Sequence, residues 1–172
     1  MPTTTTTMSW EEYQALDEDL GAEYIDGRAV VDPHPSRRHQ HAIYELVSML
    51  RAEATEPACV EAEWAWKPAD DEFVPDVIVT EPTAEQARFT GTPLLVIEVL
   101  SPNRAHLVTK TSKYAQAGLP RYWVVDPDEE TATAFALVDD VYEEVGLVHG
   151  TEEAEWGFGA GNVRIRPADL FD

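Results

Sequence analysis

The chain has 172 residues, of which 44% are hydrophobic types, so a sizeable core is available and wholesale disorder is excluded. Its 33 acidic residues against 12 basic ones give a formal net charge of −21, which repels polyanions at long range. Composition alone therefore argues against nucleic-acid binding unless the few bases are grouped or a metal intervenes. The single cysteine, Cys59, rules out an internal disulfide and a CxxC metal or redox site. No apolar run approaches the roughly 20 residues of a membrane span. The N-terminal residues lack a basic start and an apolar stretch, and the expectation is a cytoplasmic protein with no membrane partner.

In chain order, residues 1–8 read as a frayed, disordered tail, and residues 9–172 as one domain. Ser9 with Glu12 forms a capping-box pattern that predicts a short helix to about Leu16. Glu23 to Val31, turning on Asp26-Gly27, predicts a hairpin. Ile43, Leu46, Val47 and Leu50 recur at helical spacing within a predicted helix from about Ser36 to Ala54. Strands are expected at Cys59–Trp66 and, after a polar turn, at Phe73–Thr80. Leu94 to Leu100 is the most apolar strand-length stretch and reads as the central strand. A helix from about Ala105 to Ala117 should end at Gly118, with Pro120 beyond. Arg121–Asp126 reads as a buried strand, Thr131–Leu137 with Val141–Val148 as an outer hairpin, and Val163–Ile165 as a last short strand. The expected class is α/β.

Glu98 is the central anomaly, a carboxylate inside an apolar strand, where burial costs several kcal/mol unless it is paired, protonated or metal-bound. Either it sits at a strand end beside a basic helix residue, or it holds a cation. Asp76 repeats the pattern before Val77-Ile-Val79; alone it reads as a strand-start residue, but with Glu98 it could share one divalent ion through hard oxygen ligands. Lys110, on the helix leaving the Glu98 strand, is either a solvated lysine or a charge placed beside a phosphate, with Lys113 and Tyr114 nearby by helical spacing. His39 is a metal ligand, a phosphate contact or a helix-start polar residue, and Glu23 is equally open. Arg37 and Arg38 serve solubility or contact phosphates. Trp64 and Trp66 read as core residues. No GxSxG elbow, Walker loop or HExxH pair is present.

Glu23-Tyr-Ile-Asp-Gly27, Ser36-x-x-His39, Pro75-Asp76-Val77-Ile-Val79, Glu98-Val-Leu-Ser-Pro102, Lys110-x-x-x-Tyr114-x-x-Ala-Gly118 and Tyr122-Trp-x-x-Asp126-Pro127 form an ordered series. From about Trp10 to Leu137 this series resembles the Uma-two (Uma2) family of restriction-endonuclease-like proteins, grouped with the PD-(D/E)XK nuclease superfamily. The resemblance implies a restriction-endonuclease-like fold with a central mixed β-sheet flanked by helices. It implies metal-binding acids at Asp76 and Glu98. The superfamily lysine expected two residues after Glu98 is Leu100 here, and the resemblance places it on the following helix as Lys110. Glu23 and His39 match upstream polar positions near the pocket, and Tyr114 matches the tyrosine after the lysine. His106 stands where many relatives carry aspartate.

The expectation is a metal-dependent endonuclease hydrolysing DNA phosphodiester bonds. Asp76, Glu98 and the backbone carbonyl of Val99 would hold Mg or Mn. Lys110, His39, Glu23 and Tyr114 would complete the catalytic set, and Arg37, Arg38, Arg104 and Lys113 would contact nucleic acid. Non-specific DNA affinity is expected to be low, and a homodimer would ease the charge conflict. The alternatives are a catalytically degenerate nuclease fold acting through protein contacts, or a hydrolase of RNA or nucleotides.

Overall fold

A computed structural model describes residues 3–17, 20–33, 35–101 and 107–171. Its centre is a six-stranded mixed sheet in the order β4 (Cys59–Ala62), β5 (Val77–Thr80), β6 (Leu95–Val99), β7 (Arg121–Asp126), β8 (Thr131–Val138) and β9 (Val141–His149). All neighbouring pairs are antiparallel except β6 with β7, which run parallel. The parallel pair requires a crossover, supplied by helix α3 (Leu107–Gln116). The outer hairpin expected from the sequence is β8–β9, turning through Asp139 and Asp140, both at positive φ, and it extends the sheet to its far edge.

Strand alternation divides the core between the two faces. Leu95, Ile97 and Val99 of β6 pack with Val77 and Val79 against helix α2 (Arg37–Glu53), which contributes Ala42, Ile43, Leu46 and Leu50. The period-3.6 spacing of those four residues is the stripe the sequence displays, and Ser36 caps the helix by accepting the His39 N–H. On the other face, Val96 and Ile78 pack with Trp66, Phe73, Tyr114 and Tyr122. Helix α3 belongs to this second layer.

The N-terminal residues depart from expectation. Thr4–Thr7 form strand β1, paired antiparallel with β3 (Arg28–Val31), which also pairs with β2 (Glu23–Ile25). Consecutive threonines are β-branched, and the free edge of β3 offers them main-chain partners that a local reading of residues 1–8 lacks. The capping box of α1 (Trp10–Gln14) is formed as expected. Two predicted strands are interrupted. Glu63 adopts φ 51° and ends β4 early, leaving Trp66 to make isolated bridges with Phe73 and Phe89. Pro75, which lacks a main-chain donor, lies between Phe73 and β5. The last predicted strand, β11 (Asn162–Ile165), pairs with β10 (Ala154–Gly157), which the polar sequence there does not announce. No helix among the described residues is long and apolar enough to cross a membrane.

The α2 contact dominates the first core, so Leu46→Ala, at a site with no solvent exposure, should cost about 3 kcal/mol of unfolding free energy. Tyr44→Ala, on the exposed side of the same helix, should stay within about 0.5 kcal/mol of wild type. Urea denaturation followed by circular dichroism distinguishes the two. Equal effects would overturn this assignment of faces.

Candidate active site

The register between β5 and β6 pairs Val77 with Ile97 and Ile78 with Val96. Extending it by one residue places Asp76 opposite Glu98, on the face occupied by Ile78, Val96 and α3. Like charges in direct opposition across a sheet are destabilising, so a compensating arrangement is required. Part of it is local: the Val99 N–H donates to Asp76 Oδ2 at 2.7 Å, fixing this carboxylate against the main chain beside Glu98.

The larger part is Lys110, buried on the inner side of α3. Its ammonium donates to Glu98 Oε1 at 2.7 Å and to Glu23 Oε1 at 2.9 Å. Tyr114, one turn further along, donates its hydroxyl to the same Glu98 Oε1 at 2.6 Å. Glu23 is held in turn by the Val74 N–H at 2.8 Å. The hairpin that carries it is stitched to residue 72 by reciprocal 2.8 Å main-chain bonds between Tyr24 and Glu72. His39, in the first turn of α2, brings Nε2 to 3.4 Å from Asp76 Oδ2, while its Nδ1 is buried without a hydrogen-bond partner. Glu23, His39, Asp76, Glu98, Lys110 and Tyr114 therefore form one continuous cluster built from β2, α2, the start of β5, β6 and α3.

Electrostatics follow from crowding three carboxylates around one ammonium. Burial raises the Glu98 carboxyl, the Lys110 ammonium pulls it back, and the charges of Asp76 and Glu23 push it up again, to about 7. Burial lowers Lys110, but Glu23 and Glu98 outweigh this and hold it well above the usual lysine range. Tyr114 is raised by burial and by the charge of Glu98, so it remains a neutral donor. Burial likewise lowers His39, yet the adjacent Asp76 carboxylate and the charge of Glu98 carry it upward overall.

Among the described residues, no group of three or more His, Cys, Asp or Glu side chains is arranged to hold a metal ion. A sparser set is present, comprising two opposed carboxylates and the Val99 peptide. All of its donors are hard oxygens of the kind Mg and Mn take. Glu98 is raised chiefly by burial and further by the charges of Asp76 and Glu23, and a cation placed between the carboxylates would offset their mutual repulsion. The donor chemistry fits such an ion.

The predicted nucleic-acid contacts are not gathered in this way. Arg37 is exposed at the start of α2, and Arg38 pairs with Glu130 at 2.7 Å. Lys113 binds Asp26 and, at 2.9 Å, Asp71, fastening α3 to the β2–β3 turn. Arg104 and His106 lie outside the described residues. Trp66 is fully buried and Trp64 half-buried against Phe89, in keeping with core roles. Sequence reasoning missed Val74, whose main chain positions Glu23, and Asp26 and Asp71, which occupy Lys113. Their separations of 51, 87 and 42 residues carry no periodic signal.

Two stability measurements test this electrostatic reading. Between 4.5 and about 7 the folded protein keeps a proton on Glu98 that the unfolded chain has released, so stability falls as pH rises through this window. Glu98→Gln removes that loss, and its unfolding free energy relative to wild type should rise between about pH 5 and about pH 8 by on the order of 3 kcal/mol. A pH-independent difference would show that Glu98 ionises normally. Lys110→Met leaves Glu23 and Glu98 without their shared cation, and at about pH 8 it should cost about 3–5 kcal/mol, with a smaller loss at about pH 5. Urea titrations at both pH values supply the numbers.

Comparison with known proteins agrees with this architecture. Residues 10–158 match the Uma2 family, described as "Putative restriction endonuclease". Among solved structures, the chain is similar to a "putative nuclease belonging to DUF820" from Anabaena variabilis ATCC 29413, with a TM-score of 0.77 and 23% identity. That alignment covers 95% of this chain and 97% of the other, and at such identity it establishes fold. No curated protein matches the chain. With the family matched over most of its length and a mixed sheet of the PD-(D/E)XK-related type, the chain belongs to the Uma2 family.

Proposed function

We propose that this Uma2 protein is a divalent-metal-dependent endonuclease hydrolysing DNA phosphodiester bonds. The observation that carries the reading is the opposition of Asp76 and Glu98 at adjacent strand ends, with the Lys110 ammonium 2.7 Å from Glu98. Asp76, Glu98 and the Val99 carbonyl would hold Mg or Mn. Such an ion supplies Lewis acidity toward a phosphoryl oxygen and toward water. Lys110 offers positive charge where a phosphate accumulates negative charge, in a setting shielded from solvent. Tyr114 and Glu23 fix the ammonium, and His39 orients the Asp76 carboxylate through its ring nitrogen. Arg37 and Arg104 would contact flanking phosphates, and Arg38 would join them by exchanging Glu130 for a phosphate. With a net charge of −21, non-specific affinity for DNA should be weak and steeply salt-dependent, and a cytoplasmic homodimer would bring two sets of bases to one duplex.

A second reading has its own support. Glu98 is satisfied by Lys110 and Tyr114, Asp76 by Val99 and His39, and no three-residue metal cluster is formed among the described residues. A catalytically degenerate fold acting through protein contacts would look the same.

Titration calorimetry with Mn and Mg at low salt separates the two, on wild type, Asp76→Asn, Glu98→Ala and Lys110→Met, with supercoiled DNA, single-stranded DNA and RNA assayed in the same buffers. The nuclease reading expects wild type to bind the ion and cleave DNA. Asp76→Asn and Glu98→Ala should lose both, and Lys110→Met should keep binding but lose at least about 100-fold in cleavage. Failure of wild type to bind either ion selects the degenerate fold. Cleavage confined to RNA would keep the site and replace its substrate.

A further inference from the structure

The side of α3 that faces away from Lys110 and Tyr114 borders an open groove of about 760 Å³. One wall is the stripe Val108, Thr111, Ser112 and Ala115, and the other is Asp140, Val141 and Tyr142 at the beginning of β9. Val108 is 79% exposed and Val141 63% exposed, and both line this groove. Scattered surface valines need no explanation, but two on opposing walls of one concavity do. Its acidic end is Asp140, which lines the groove, with the exposed Asp139 beside it in the turn. No lysine or arginine occurs between Arg121 and Arg164, and on the helix side Lys113 is already taken by Asp26 and Asp71.

We propose that this groove docks a cationic amphipathic helix of a partner protein. From Val108 to Ala115 the stripe runs about 10 Å, the length of roughly two helical turns. That matches an incoming helix presenting apolar residues at i, i+3 and i+4 with lysine or arginine flanking them. A second copy of the chain offers no such segment. Its one pair of adjacent bases is Arg37-Arg38, and Arg38 is paired with Glu130. Anionic lipid is repelled by the same charge that attracts a basic helix. The proposal is independent of nuclease activity, although the docked helix would lie against the element that holds Lys110 on its opposite side.

The test uses the full chain and three synthetic 14-residue peptides. The first carries leucine and lysine in an amphipathic helical pattern, the second has the same composition with leucines spread evenly around the helix, and the third replaces lysine by glutamate. Titration calorimetry and amide NMR shifts are the readouts, on wild type and on Val108→Ser/Val141→Ser, whose exposed positions leave the fold intact. The expected result is binding of the first peptide only, with shifts confined to residues 107–116 and 138–143, and at least a tenfold loss of affinity in the double variant. Equal binding of the evenly spread peptide, shifts elsewhere, or an unchanged double variant would overturn the proposal. So would sedimentation showing a self-association that the double variant abolishes, or wild-type binding to phosphatidylserine vesicles.

Discussion

A single buried ammonium holds the molecule's most improbable arrangement together. Lys110 lies between Glu23 and Glu98, which belong to different sheets, and it reaches them from the crossover helix joining β6 to β7. Without it, two carboxylates would face each other out of water beside a third, Asp76, and burial would drive them to take up protons. With it, the charge count remains short by one or more cations. A fold selected only for stability would more simply place apolar residues here, since buried ion pairs rarely surpass hydrophobic replacements. The persistence of this cluster at the meeting point of five elements is the physical basis for reading it as a site.

The rest of the charge distribution follows from a scarcity of bases. Many of the described cations are paired, including Arg38 with Glu130, Arg51 with Glu61, Arg88 with Glu72 and Lys113 with its two aspartates. Lys67 lies 4.0 Å from the Trp10 ring centroid. These pairs sit on an acidic surface, where exposed ones contribute little to stability but reduce what is left to attract a polyanion. Any phosphate that enters must therefore be recognised at close range.

Much of this was legible in the residues, for identifiable reasons. Ser9 with Glu12, Asp26-Gly27, and the stripe from Ile43 to Leu50 are local signals, and each formed as local chemistry requires. Glu98 and Asp76 stood out because acids are rare in apolar strands. Their opposition was not legible, because register is set by pairing between strands and no single segment displays it. Glu23 and Lys110 lie 87 residues apart in the chain, and likeness to a family, rather than spacing, joined them. Strand β1 was missed because threonines are committed to a strand only once an edge is available to receive them.

The reciprocal bonds between Tyr24 and Glu72 make the hairpin carrying Glu23 a graft onto the main body, since β2 is not a member of the six-stranded sheet. Side chains complete the attachment: Ile25 and Val30 are buried in the second core, and Lys113 binds both Asp26 in the turn and Asp71. One of the three carboxylates that crowd Lys110 is thus supplied from outside the six-stranded sheet, so the charge balance of the pocket depends on how well this added layer is packed.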